Sequence, residues 1–194
     1  MNKAIDDFIA KVPYDYWNDN EIRAALSSGS IYSNRRIATY ILWRYEQSLC
    51  PKNYPAARID WEGIIRKESL EHIAPQTSEE DPTAHGYGVY NEFENPEQGI
   101  ESGGWLNCIG NLLLLSQSQN SAAGNKDFST KLGIYNAENS LIRQQQEILS
   151  FVSDPESPVW DKACIEKRLN RIVDRALRVI WNFASVDANP VSHG

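Results

Sequence analysis

The chain has 194 residues, and its 26 Asp and Glu outnumber its 19 Lys and Arg, which gives a formal net charge of −7. This length suits one well-buried core and is too short for two ordinary domains, and no apolar run approaches the roughly 18 residues of a membrane span. The acidic N-terminal segment lacks the apolar centre of a signal peptide, so we expect a cytoplasmic protein without membrane contact. Three scattered cysteines, Cys50, Cys108 and Cys164, argue against structural zinc and a disulfide framework.

The negative charge is concentrated in residues 76–104. This segment holds seven acidic residues and no Lys or Arg, whereas the rest of the chain has 19 residues of each sign. Its Gly, Pro, Asn and Ser content is typical of a long loop, and long loops in compact domains are often functional. An acidic chain usually argues against nucleic-acid binding, but this distribution leaves another face available to DNA.

Helices are predicted along the N-terminal part. Apolar spacing predicts a first helix in residues 2–11 and a second that begins at a cap, Asn18 or Asp19. The strongest pattern of this half begins at Ser33 as the cap and is stopped by Pro51.

Two strands and a helix are predicted in the middle of the chain. One strand ends at Glu71-His72, and the apolar run Trp105–Leu115 has the composition of a second strand. A short helix that carries Asn120 then ends at Gly124, and Asp127 caps a helix from Phe128 toward Tyr135.

Two further helices are predicted at the C-terminal end. They cover Glu138–Val152 and about Trp160–Trp181, and the second has an apolar face made by Ile165, Leu169, Ile172, Val173, Leu177, Val179 and Ile180. Its other face is cationic, with Lys162, Lys167, Arg168, Arg171, Arg175 and Arg178. A solvated surface is the ordinary interpretation of such a face, and a stripe that contacts phosphates is the alternative.

Cleavage of a phosphodiester needs an activated water and stabilisation of the developing negative charge. His72 is our candidate base, since an imidazole can accept the proton of water near neutral pH. A hard divalent ion, most often Mg²⁺ and alternatively Mn²⁺, prefers carboxylate and amide oxygens, which Glu71 and Asn120 offer. Glu71 and His72 can serve one site only where their strand ends, because consecutive side chains of a strand point to opposite faces.

Neighbouring residues fit such a site. Asn111 on the second strand can hold the loop or the imidazole ring by hydrogen bonds, and Gly110 permits close backbone approach. Lys126 and Lys131 follow Asn120 and could meet substrate phosphates.

Three segments together resemble the HNH (His-Me finger) nucleases. They are Glu-His-Ile-Ala-Pro at 71–75, Ile-Gly-Asn-Leu-Leu-Leu-Leu-Ser at 109–116 and Asn-Ser-x-x-x-Asn-Lys-x-Phe-x-x-Lys at 120–131. Within that group the chain resembles the C-terminal nuclease domain of GmrSD-type modification-dependent restriction enzymes over most of its length. The resemblance implies His72 as general base, Glu71 and Asn120 as metal ligands, and Asn111 as the residue that orients the base. Glu71 departs from the Asp of broader HNH enzymes.

The resemblance implies a mainly α (α+β) fold, a helical scaffold around a ββα-metal motif. We expect a single nuclease domain over residues 1–194, with a helical part (1–66), a ββα-metal core (67–135) that contains the acidic insert, C-terminal helices (136–184) and a flexible tail (185–194). Family members usually carry an N-terminal ParB-like NTPase or sensor domain. We recognise no such domain in these 194 residues, so we expect an isolated nuclease module, either a stand-alone subunit or an excised domain.

The predicted function is metal-dependent cleavage of DNA in restriction or anti-phage defence, as a module of a larger system. Two alternatives stay open. A catalytically silent interaction module could use the acidic segment to bind a basic surface, and an RNase could use the same site.

Overall fold

The computed structural model describes residues 19–50, 68–76, 82–88, 104–137 and 143–180. The predicted first helix at 2–11, the seven acidic residues of segment 76–104 and the predicted tail lie outside these ranges. Within them the fold is mainly helical with one two-stranded sheet, as predicted. No helix in these ranges has the length and apolar composition needed to cross a bilayer.

The two described N-terminal helices agree with the predictions. Helix α1 covers Asp19–Ser27, and helix α2 covers Arg35–Leu49 after a 3₁₀ turn at Gly29–Ser33. The cap of α2 is Asn34 rather than the predicted Ser33, because the Asn34 side chain accepts a hydrogen bond from the Ile37 N–H at 3.3 Å.

The two strands form an antiparallel pair. Strand β1 is Glu68–His72 and strand β2 is Leu112–Ser116, with His72 opposite Leu112. The predicted second strand is therefore wrong over its first part, where two 3₁₀ turns, Gly104–Asn107 and Ile109–Asn111, precede β2. Gly110 explains the difference, because a Cβ at this residue would lie 2.5 Å from the Ile165 carbonyl oxygen, so the chain turns closely against a helix here.

A helix follows strand β2 directly. Helix α3, Gln117–Ala123, begins in a capping box between Ser116 and Gln119 and packs on both strands. It ends as predicted at Gly124, whose φ of 47° is in the left-handed region. Helix α4, Phe128–Tyr135, begins at the predicted cap Asp127, which accepts from the Thr130 N–H at 2.8 Å.

The predicted helix over 138–152 is interrupted. The described part has a short helix α5, Arg143–Gln146, and a 3₁₀ turn, Ile148–Phe151. The buried carboxylate of Glu46 on α2 accepts hydrogen bonds from the backbone N–H groups of Arg143 and Gln144, at 2.7 and 2.9 Å, so a tertiary contact fixes where α5 begins.

The last helix, α6, covers Lys162–Arg175 and continues as a π-helical segment, Ala176–Ile180. Its predicted apolar face is buried at Ile165, Leu169, Ile172, Val173 and Leu177 and packs against the turn before β2 and against α2. Two assignments were wrong, since Val179 is 55% exposed and Arg168 is 0% exposed. Arg168 lies one turn from both Ile165 and Ile172, so it shares their face.

Candidate active site

The candidate base, His72, lies at the end of β1 and is only 8% exposed. Its Nε2 atom is 2.9 Å from the side-chain oxygen Oδ1 of Asn107, which follows in the first 3₁₀ turn. The same oxygen accepts a hydrogen bond from the Gln76 side-chain amide at 3.0 Å. Because a carbonyl oxygen only accepts, Nε2 of His72 donates, and the neutral ring keeps its lone pair on Nδ1.

The pKa of His72 is lowered to about 4, mainly by burial; the hydrogen bond to Asn107 opposes this shift, and the positive charges of Lys131 and Arg35 add to it. The ring is therefore neutral near pH 7. A neutral ring with its lone pair on Nδ1 is the form that can accept a proton, although the lowered pKa makes it a weaker base than an ordinary imidazole.

An aromatic ring and an arginine flank the imidazole. The ring of Tyr32 packs edge-on against His72, with 4.5 Å between the ring centroids. The guanidinium of Arg35 lies 4.9 Å from the Tyr32 ring centroid and donates a 2.6 Å hydrogen bond to the Tyr32 hydroxyl.

Asn111 holds the loop after β1. Its Oδ1 accepts from the Ala74 N–H at 2.9 Å and from the Trp160 indole N–H at 3.0 Å. Its Nδ2 donates to the carbonyl oxygens of Ala74 and Leu106, at 3.0 and 2.9 Å. All four hydrogen-bonding positions of this fully buried amide are used, so it acts on the loop, and the side chain that forms a hydrogen bond with the His72 ring is that of Asn107.

Glu71 points away from His72, as neighbours on a strand do. Its Oε1 accepts hydrogen bonds from the buried Lys131 ammonium at 2.5 Å and from the Tyr135 hydroxyl at 3.3 Å. Lys131 also donates to the carbonyl oxygens of His72 and Ile73, at 2.8 and 3.2 Å. Burial raises the pKa of Glu71 and lowers that of Lys131, and their mutual attraction opposes both shifts.

This arrangement bears on the predicted substrate contact of Lys131. The side chain is 0% exposed and its ammonium is enclosed by a carboxylate and two carbonyl oxygens, so the geometry does not support contact with a DNA phosphate. Lys126 lies exposed on the turn between α3 and α4, and its role stays a prediction.

The predicted metal ligands fit unequally. In this arrangement the Glu71 carboxylate is matched with an ammonium rather than left open, so Glu71 does not fit a metal ion as the side chains stand. Asn120 lies half-buried on α3, and its side chain makes no hydrogen bond to other described residues, so its amide oxygen has suitable chemistry. The described ranges contain no cluster of three or more His, Cys, Asp or Glu that could hold a metal.

Arg168 supports the site from behind. Its Nη1 donates to the carbonyl oxygens of Ile109, Gly110 and Leu112, at 3.3, 2.8 and 2.7 Å. The three carbonyls belong to residues immediately before and after Asn111. The buried guanidinium therefore fixes the 3₁₀ turn that carries Asn111, and Asn111 in turn holds the loop after β1.

Sequence reasoning missed Asn107, Gln76, Tyr32 and Arg35. Asn107 lies inside an apolar run predicted as a strand, whereas the structure has a 3₁₀ turn there, from which its side chain reaches His72. Tyr32 and Arg35 lay at a helix start with no chemical pattern around them. A polar residue interrupting the apolar run was the signal that could have identified Asn107.

The sequence of residues 16–175 matches the family model for the C-terminal domain of GmrSD restriction endonucleases. This match covers most of the chain, and the chain therefore belongs to that family, which supports nuclease-type activity. No curated protein and no solved structure matches the chain.

Proposed function

We propose that the chain is a metal-dependent DNA endonuclease of the HNH type, with His72 as the general base. The observation that carries the proposal is the 2.9 Å hydrogen bond from His72 Nε2 to Asn107 Oδ1. It places the ring proton on Nε2 and leaves Nδ1 unprotonated in a ring that is neutral near pH 7. The order of two paired strands followed by a helix packed on them is the one expected for a ββα motif, which adds support.

In the proposed reaction, Nδ1 of His72 takes a proton from a water molecule whose oxygen bonds to the phosphorus. The bond from phosphorus to the 3′ oxygen breaks, and that oxygen receives a proton from solvent water. Asn107 holds the ring, and Asn111 holds the loop that follows it. Mg²⁺ or Mn²⁺, when bound, would stabilise charge on the phosphate and the leaving oxygen, with Asn120 as one ligand.

We further propose that this nuclease serves a restriction system directed at foreign DNA in the cytoplasm. Membership of the restriction endonuclease family supports this setting. In it, a ParB-like NTPase or sensor domain supplies the choice of target, while this domain cuts.

Plasmid cleavage tests the proposal. Supercoiled DNA is incubated with the wild type, His72→Ala or His85→Ala in Mg²⁺, Mn²⁺ or EDTA; His85 is an exposed histidine and serves as the control. We expect nicked or linear product from the wild type and His85→Ala with a divalent ion, and none from His72→Ala or in EDTA. Equal cleavage by His72→Ala removes His72 from the mechanism. Cleavage of RNA alone identifies an RNase, and no cleavage with any ion, even with a partner present, favours an interaction module.

A further inference from the structure

Arg35 occupies an unusual place for a cation. It is the first residue of α2, where the positive end of the helix dipole disfavours basic side chains. Arg36 follows it, and the first turn of α2 has no acidic residue. Helix stability therefore does not account for a cation at the position of Arg35.

The guanidinium of Arg35 is held in a fixed orientation. It lies over the Tyr32 ring and donates to the Tyr32 hydroxyl at 2.6 Å. Tyr32 in turn packs against the His72 ring, so only one aromatic side chain separates the guanidinium from the imidazole.

Within the described part of the chain, most N–H donors of Arg35 have no hydrogen-bond partner. The side chain is exposed, and within the described ranges no carboxylate forms an ion pair with it. A guanidinium has five N–H donors in a planar fork that matches two phosphate oxygens. Arg35 would supply a phosphate contact of the kind predicted for Lys131, whose ammonium is turned inward to Glu71.

We propose that Arg35, oriented by Tyr32, binds a phosphate group of the nucleic-acid strand that lies at His72. This inference rests on the proposed function for its location, and it assigns the substrate's phosphodiester contact to a residue outside the ββα segment. Recognition through phosphate implies binding that is independent of base sequence.

DNA binding without cleavage tests the assignment. A fluorescent duplex is titrated in EDTA with the wild type, Arg35→Gln, Arg36→Gln and Tyr32→Phe over a range of salt concentrations. Arg36 is the matched control, since it is exposed, carries the same charge and lies in the same helical turn. We expect Arg35→Gln to weaken binding about tenfold and to reduce the salt slope by about one, equally for duplexes of different sequence. Tyr32→Phe keeps the ring but loses the hydroxyl, and we expect an intermediate loss.

Equal losses of DNA affinity for Arg35→Gln and Arg36→Gln overturn the assignment. Binding would then depend on the total positive charge at the start of α2 and not on a specific contact of Arg35. Unchanged binding by Arg35→Gln overturns it as well. The outcome is separable from that of the nuclease proposal: if His72→Ala still cleaves DNA but Arg35→Gln alone weakens binding, the phosphate contact stands and the role of His72 falls. Circular dichroism of each variant verifies the fold, which substitution of the exposed Arg35 is expected to preserve.

Discussion

The ammonium of Lys131 lies 2.5 Å from Oε1 of Glu71, and both side chains are buried. The pair fastens α4 to the end of β1, one residue from the candidate base. We expect Glu71→Gln and Lys131→Met each to lower the free energy of unfolding by about 3–5 kcal/mol, because each leaves a buried charge without its partner. The double variant should lose less than the sum of the two.

Urea unfolding of the four proteins measures this coupling. Additive losses contradict a structural pair. If Glu71 instead served as a metal ligand, Glu71→Gln would weaken binding of Mn²⁺ while Lys131→Met left it intact, which calorimetric titration distinguishes.

The Asn107 oxygen should determine the tautomer of His72. We expect ¹⁵N NMR of the wild type at neutral pH to show the proton on Nε2. Asn107→Asp keeps an acceptor and should keep this tautomer, whereas Asn107→Leu removes the acceptor. The cleavage rate of Asn107→Leu should fall at least about tenfold, as general-base catalysis contributes roughly 10²–10⁴-fold. A proton on Nδ1 in the wild type contradicts the assignment.

Arg168 should matter to stability far more than its neighbours on α6. Arg168→Met leaves three buried carbonyl oxygens without their charged donor, and we expect a loss of about 3 kcal/mol in the free energy of unfolding. Arg171→Met, an exposed position on the same helix, is the control and should cost less than about 1 kcal/mol. Comparable losses in the two variants would show that the Arg168 contacts contribute little.

The cap of α4 provides a pH-dependent contribution. Hydrogen bonds from Ser129 and Thr130 lower the pKa of Asp127 from 3.8 to about 2. A lowered carboxyl pKa stabilises the fold above pH 3.8, and this stabilisation is lost as the pH falls toward 2. We expect Asp127→Ala to cost about 1 kcal/mol at pH 6.

Urea midpoints of the wild type and Asp127→Ala between pH 6 and 2.5 measure this contribution. The difference between the two proteins should shrink below pH 3.8. A difference that is constant with pH argues against this account. It would mean that the hydrogen bonds from the hydroxyls of Ser129 and Thr130 and from the Thr130 N–H do not favour the ionised carboxylate of Asp127.

Local signals in the sequence were sufficient for the elements that they control. Asp127 and Gly124 set a helix start and a helix end through contacts within four residues, and both predictions are confirmed. The apolar face of α6 also follows from its own spacing.

The polar groups of the interior could not be found in this way. Arg168 and Lys131 looked like surface cations because their charge suggested solvent, while their partners lie about 60 residues away along the chain. Asn107 reaches His72 from a 3₁₀ turn in a segment whose apolar run predicted a strand. The identity of the candidate base came from a short motif, but its surroundings depend on tertiary contacts.

The most direct test of the central claim is the single-turnover rate of plasmid cleavage by His72→Ala, measured with and without added imidazole. We predict a rate at least about 100-fold below the wild type, since the proposed general base is lost, and partial recovery when free imidazole enters the vacated space beside Asn107. A His72→Ala rate equal to that of the wild type would contradict the account.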